Sequence, residues 1–182
     1  MQTTVLSNPN EIRRVKNALQ KKATQYSLLF GLLIAVLIPL LFAILAVAMF
    51  DDSSWFENIG TGFCISVILG IFAAVGLRKF YLKNADRFCS LMANCKLSVE
   101  NGTVEGILLK AEAVNFNTIF GKQINSERVH LSCRQATPVA VRELETGGIS
   151  LGLCVEIGRS GMILCVNETD AAHLQKMISQ DA

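Results

Sequence analysis

Residues 28–50, LLFGLLIAVLIPLLFAILAVAMF, and residues 59–77, IGTGFCISVILGIFAAVGL, decide the fold of this chain. The first stretch runs 23 residues without a charge and the second 19. At about 1.5 Å of rise per residue, each is long enough as a helix to cross a hydrocarbon core of about 30 Å, the first with some tilt. A cleaved secretory signal fits the first stretch poorly. It is too long, no small-residue cleavage site follows it, and a second apolar span comes at once. Only Asp51 to Asn58 separate the two spans, so the expectation is an antiparallel transmembrane hairpin within residues 26–81.

The charges beside the hairpin are lopsided. Arg13, Arg14, Lys16, Lys21 and Lys22 precede the first span, Arg78, Lys79, Lys83 and Arg87 follow the second, and the connection carries Asp51, Asp52 and Glu57 instead. Lys and Arg are retained on the cytoplasmic side, so both termini are expected there and the acidic connection outside. Arg13, Arg14, Lys16, Lys21, Lys22, Arg78 and Lys79 are the residues expected at the membrane surface, where they either merely fix topology, the preferred reading, or also attract anionic lipid.

Composition agrees with this reading. Of 182 residues, 51% are hydrophobic and 18% charged, and the mean hydropathy is +0.41. These values exclude a disordered chain, a collagenous chain and a small disulfide scaffold, and the length leaves no room for a multidomain catalytic machine. Neither span holds Asp, Glu, Lys, Arg or His, the groups on which ion and proton pathways depend. A transporter or pump is therefore disfavoured, and a pore would have to come from several copies. Small residues recur at every fourth position instead: Gly31, Ala35, Pro39 and Ala43 in the first span, Gly62, Ser66, Gly70 and Ala74 in the second. That spacing stacks them on one helix face, where two backbones can approach closely. The partner of each face is the other helix of the hairpin or another copy of the chain.

Residues 1–25 predict an amphipathic helix, with Asn8 as cap, Pro9 in the first turn and an apolar stripe of Ile12, Val15, Leu19 and Tyr26. It lies on the inner membrane surface or runs on into the first span. Beyond the second span, Tyr81, Leu82, Ala85, Phe88, Cys89 and Met92 keep helical spacing, which extends that helix to about Asn94 as a linker over residues 82–96. From Leu97 the pattern turns β-rich. Asn101-Gly102 marks a tight hairpin, and strands are expected at Leu109–Asn117, Gln123–Arg134, Pro138–Glu145, Ile149–Ile157 and Met162–Val166. A final amphipathic helix over residues 168–179 presents Ala171, Leu174, Met177 and Ile178 on one face, to be buried on the preceding strands. The fold class expected is thus α+β: a membrane hairpin followed by a small antiparallel β domain, residues 97–182, closed by a C-terminal helix.

This order of parts, over residues 26–182, resembles the two-pass bacterial inner-membrane proteins that end in a PH-like cytoplasmic domain; the strand and helix from Met162 to Ile178 are the nearest local match. An OB-like or SH3-like barrel is the rival fold. Many PH domains bind lipid headgroups through basic residues at the first hairpin. Here that hairpin carries Glu100, Asn101, Gly102, Thr103 and Glu105, so the resemblance does not bring phosphoinositide binding with it.

Chemistry is sparse. Cys64, Cys89, Cys95, Cys133, Cys154 and Cys165 form no C-x-x-C pair, and in a reducing cytoplasm they read as small apolar residues. His130 and Cys133, three apart on an expected strand, point to opposite faces and do not share a metal. Gly158-Arg159-Ser160-Gly161 is a turn without the spacing of a nucleophile elbow or a phosphate loop. Residues 97–182 hold seven Lys/Arg against ten Asp/Glu, which argues against nucleic acid as a partner. The expected function is a non-enzymatic, membrane-anchored interaction or scaffold module, without a cofactor, that binds a protein partner or itself. The alternatives are a thiol-dependent membrane enzyme, using Cys133, Cys154 or Cys165 with His173, and a homo-oligomeric pore.

Overall fold

The computed structural model describes residues 3–49, 55–110, 114–121, 124–159 and 161–180. Its elements run β1 (Thr3–Leu6), α1 (Pro9–Met49), α2 (Trp55–Ala93), β2 (Lys96–Glu100), β3 (Thr103–Leu109), α3 (Phe116–Gly121), β4 (Ser126–Ser132), α4 (Cys133–Ala136), β5 (Val139–Thr146), β6 (Ile149–Ile157), β7 (Gly161–Leu164) and α5 (Glu168–Gln180). Two long apolar helices are therefore followed by a curled antiparallel sheet and a C-terminal helix. The chain divides into two compact units: Met1–Leu19 with Lys83–Ala182, and Gln20–Leu82.

In the first unit the strands join in the order β1-β2-β3-β7-β6-β5, and β4 lies on the other edge of β3. β3 is the branch point. It pairs with β2 over residues 103–107, with β4 along its whole length, and with Met162 of β7 at Leu109. The β2–β3 hairpin turns through Asn101 and Gly102 with φ of 50° and 76°, the left-handed pair that the Asn-Gly dipeptide supplies at low steric cost. Alternation then puts Leu97, Val99, Val104 and Leu108 on the inner face, each without exposed surface. Ala171, Leu174 and Ile178 of α5 close the same core.

Several elements depart from the sequence reading. Thr3–Leu6, expected in a helical segment, is a strand whose residues pair with Val99 to Lys96 of β2. Four residues are too few for a periodicity to register. Asn8 accepts from the amide of Asn10 (3.0 Å), and α1 then runs unbroken from Pro9 through Pro39 to Met49. Val15 and Leu19, the centre of the stripe read as membrane-facing, have no exposed surface. Val15 belongs to the domain core, and so does the linker, in which Ala85, Phe88, Cys89, Met92 and Cys95 are all buried. α2 begins at Trp55, inside the stretch read as a connection, and residues 50–54 with Asp51 and Asp52 lie outside the described residues.

The strand expected at Leu109–Asn117 stops at its first residue, and residues 111–113 lie outside the described set. α3 follows, opened by Asn115, whose Oδ1 accepts from the Thr118 amide (2.9 Å) while Thr118 Oγ1 accepts from the Asn115 amide (3.0 Å). The strand expected to reach Arg134 ends at Ser132. There Ser132 and Gln135 form a capping box that starts α4, so strand parity does not govern Cys133.

Candidate functional site

Within residues 20–82, Gly31, Ser66 and Gly70 are buried, and Ala35, Pro39, Ala43, Gly62 and Ala74 are half-buried. A Cβ on Gly31 would lie 2.7 Å from both the Gly70 carbonyl oxygen and the Ala74 Cβ; one on Gly70 would lie 2.6 Å from the Gly31 carbonyl oxygen and 3.3 Å from the Ala35 Cβ. Two glycines thus let the backbones meet where any side chain would separate them. Ser66 Oγ donates to the Phe63 carbonyl at 2.8 Å and reaches the Ala35 carbonyl at 3.5 Å. Gly62 meets Phe42 rather than Ala43. Gly31, Ala35, Ser66, Gly70 and Ala74 of this face thus meet within the helix pair.

The basic residues divide into two groups. Arg14 Nε pairs with Glu11 Oε2 at 2.7 Å, and Lys16 Nζ with Asp86 Oδ1 at 2.9 Å. The hydrogen bond from Lys16 to Asp86, and then the attraction between their charges, hold the Lys16 ammonium above its usual range. The Lys16 pair joins α1 to α2, whereas the Arg14 pair lies within α1. Lys22 lies over the Tyr26 ring, 5.9 Å from its centre, and Arg13, Lys21, Arg78 and Lys79 are exposed.

The thiols of the domain are buried. Cys133, Cys154 and Cys165 have no exposed surface, whereas His173 is exposed. Loss of hydration pushes the thiol of Cys89 up to about 11 and those of Cys95 and Cys165 up to about 12, and it raises Cys154 as well. A nucleophilic cysteine needs the opposite shift. Cys165 Sγ instead donates to the Leu151 carbonyl (3.0 Å) and Cys154 Sγ to that of Arg142 (3.1 Å). Among the described residues no three His, Cys, Asp or Glu side chains gather to ligate a metal.

One feature was not singled out in the sequence. The outer face of β1–β4 carries an open groove of about 490 Å³, lined by Thr4, Lys96, Ser98, Glu105, Arg128 and His130 over a floor that includes Ile107. Register explains the set: Thr4, Ser98, Glu105 and His130 form one cross-strand row, and Lys96, Ile107 and Arg128 the next. His130 Nδ1 lies 2.6 Å from Glu105 Oε1. Among the described residues Lys96 and Arg128 have no ion-pair partner, so the groove holds positive charge at its Ile107 row. Ser126, Arg128 and His130 alternate visibly in sequence, but a polar row signals a groove only once β1, β2 and β3 are known to lie beside it. Comparison with protein-family models, with curated proteins and with solved structures finds no match to this chain.

Proposed function

We propose that this chain is a two-pass membrane-anchored interaction module without catalytic activity, with a PH-like domain that binds a protein partner or another copy of itself. The observation that carries this reading is that both flanks of residues 20–82 enter one fold. β1 precedes the apolar helices and β2 follows them, yet they share a ladder, and Val15 of α1 and Phe88 of α2 share a core. The segment between leaves that fold and returns to it. Along it, Leu32, Ile44 and Phe72 are 65%, 62% and 71% exposed. Each such side chain loses about 1.5–3 kcal/mol in water relative to an apolar surrounding, so lipid is the medium that suits this surface. The Lys/Arg asymmetry puts the domain in the cytoplasm. By the architectural resemblance the membrane is a bacterial inner membrane.

Interaction is favoured over thiol chemistry because the domain offers an open polar groove while its cysteines are buried, and burial raises the thiols of Cys89, Cys95, Cys154 and Cys165. The rows of the sheet and the closing helix α5 favour the PH-like arrangement over a closed barrel. Affinity purification from native membranes in mild detergent tests the reading. Recovery of one stoichiometric protein, or of a defined oligomer of the chain itself, is expected. Recovery of the chain alone as a monomer, after chemical crosslinking as well, refutes it.

A further inference from the structure

The β3–β4 ladder is bracketed by Cys133 N donating to Gly102 O (2.9 Å) and Lys110 N donating to Asn125 O (3.5 Å). Hydrogen-bonded pairs alternate along an antiparallel ladder. The odd-numbered positions of β4 therefore turn their amides and carbonyls toward β3, and Ser126, Arg128, His130 and Ser132 turn theirs away. At one end of this outer edge Gln135 Oε1 accepts from the Ser132 amide (3.1 Å). Beyond it Arg128 and His130 present backbone donors and acceptors that meet no other strand among the described residues. Val129 and Leu131, although they face the core side, remain half-exposed.

We propose that the middle of β4 is a docking edge for an extended segment of a partner protein in which acidic and apolar residues alternate. This rests on the interaction reading above and names the chemistry of the partner. A strand added beside Arg128 and His130 completes their hydrogen bonds. Its residues opposite these two lie on the outer face, within about 4.5–5.5 Å between Cβ atoms. A carboxylate there meets Arg128, with Lys96 as a second uncompensated cation across Ile107. The intervening residue falls on the other face, where an apolar side chain covers Val129 and Leu131. Charge on one face and half-covered apolar surface on the other select the same alternating sequence.

The test uses the full chain in phosphatidylcholine nanodiscs and two fluorescein-labelled peptides, Thr-Glu-Val-Glu-Val-Glu-Thr and its Lys-for-Glu counterpart. The acidic peptide is expected to bind at least tenfold more tightly, to slow amide exchange at Arg128 and His130, and to lose its binding when its alternate amides are N-methylated. Arg128→Glu, at an exposed position, is expected to weaken it at least tenfold and to invert the preference. Equal affinity for both peptides, indifference to N-methylation, or protection appearing elsewhere overturns the proposal. So does self-association of the chain that depends on Arg128 in sedimentation, because the occupant would then be a second copy. Capture of a native partner that is unaffected by Arg128→Glu removes this site and leaves the interaction reading standing; recovery of the chain alone as a monomer removes both.

Discussion

Gly70 and Leu69 are neighbours with opposite roles. Gly70 is buried and leaves no room for a Cβ beside the Gly31 carbonyl, whereas Leu69 is 48% exposed. Gly70→Leu is expected to cost about 3 kcal/mol or more by forcing the backbones apart, and Leu69→Ala to change little. Thermal melting in detergent, followed by circular dichroism, separates them; equal melting temperatures would remove the close approach. The thiols give a second prediction at this scale. Their folded values lie above the ordinary 9.0, at about 11 for Cys89 and about 12 for Cys95 and Cys165, because burial opposes the thiolate. The stability they confer is fully present below pH 9 and is lost as pH rises toward 12, since the unfolded chain ionises first. Denaturant midpoints should therefore fall across that window. At pH 8 a thiol reagent should leave these three cysteines unmodified until a denaturant unfolds the domain.

Among the elements, β1 carries more than its length suggests. Val5 is 1% exposed, and Val5→Ala is expected to cost about 2 kcal/mol in the domain. Removing residues 1–7 uncovers the β2 edge and should make the domain protease-sensitive and prone to associate; limited proteolysis in detergent checks both. The long helices, β6 and α5 were legible because their patterns repeat over many residues: Ile149–Ile157 agrees at both ends, and α5 differs by one residue at its C-terminus. Short elements were hidden for the converse reason, although two of them carry signals. Ser132-x-x-Gln135 is a capping box and Asn115-x-x-Thr118 a comparable reciprocal pair; each overrides the β-rich composition around it because it satisfies amides that a strand would leave to a neighbour. Ser132→Ala should accordingly cost about 1 kcal/mol. The groove was not legible in any single stretch. Its rows join residues from 4 to 130, and only register assembles them.

For the whole molecule, the shared ladder of β1 and β2 requires, on the membrane reading proposed above, that both flanks of the apolar segment lie on one side of the bilayer. Cysteines placed at Asn17 and Ser126, both exposed, should respond to an impermeant reagent from the same side of the membrane, and one at Ser53 from the other. Native Cys133 has no exposed surface and is silent to such a reagent from either side while the domain is folded. Labelling of Asn17→Cys and Ser126→Cys from opposite sides would break the assignment.

The same ladder sets an order in time. Thr3 leaves the ribosome before both apolar helices, and its partner Val99 only after they have been made. At about 5–20 residues per second, the first strand waits on the order of 5–20 s with its backbone groups open. On the two-pass reading proposed above, the domain cannot close on a nascent chain whose second helix has failed to return to the starting side, because β2 would then emerge across the bilayer from β1. Completion of the sheet would then record the return of the second helix, and a chain in which it has not returned would keep a loose N-terminal strand that cellular proteases can recognise.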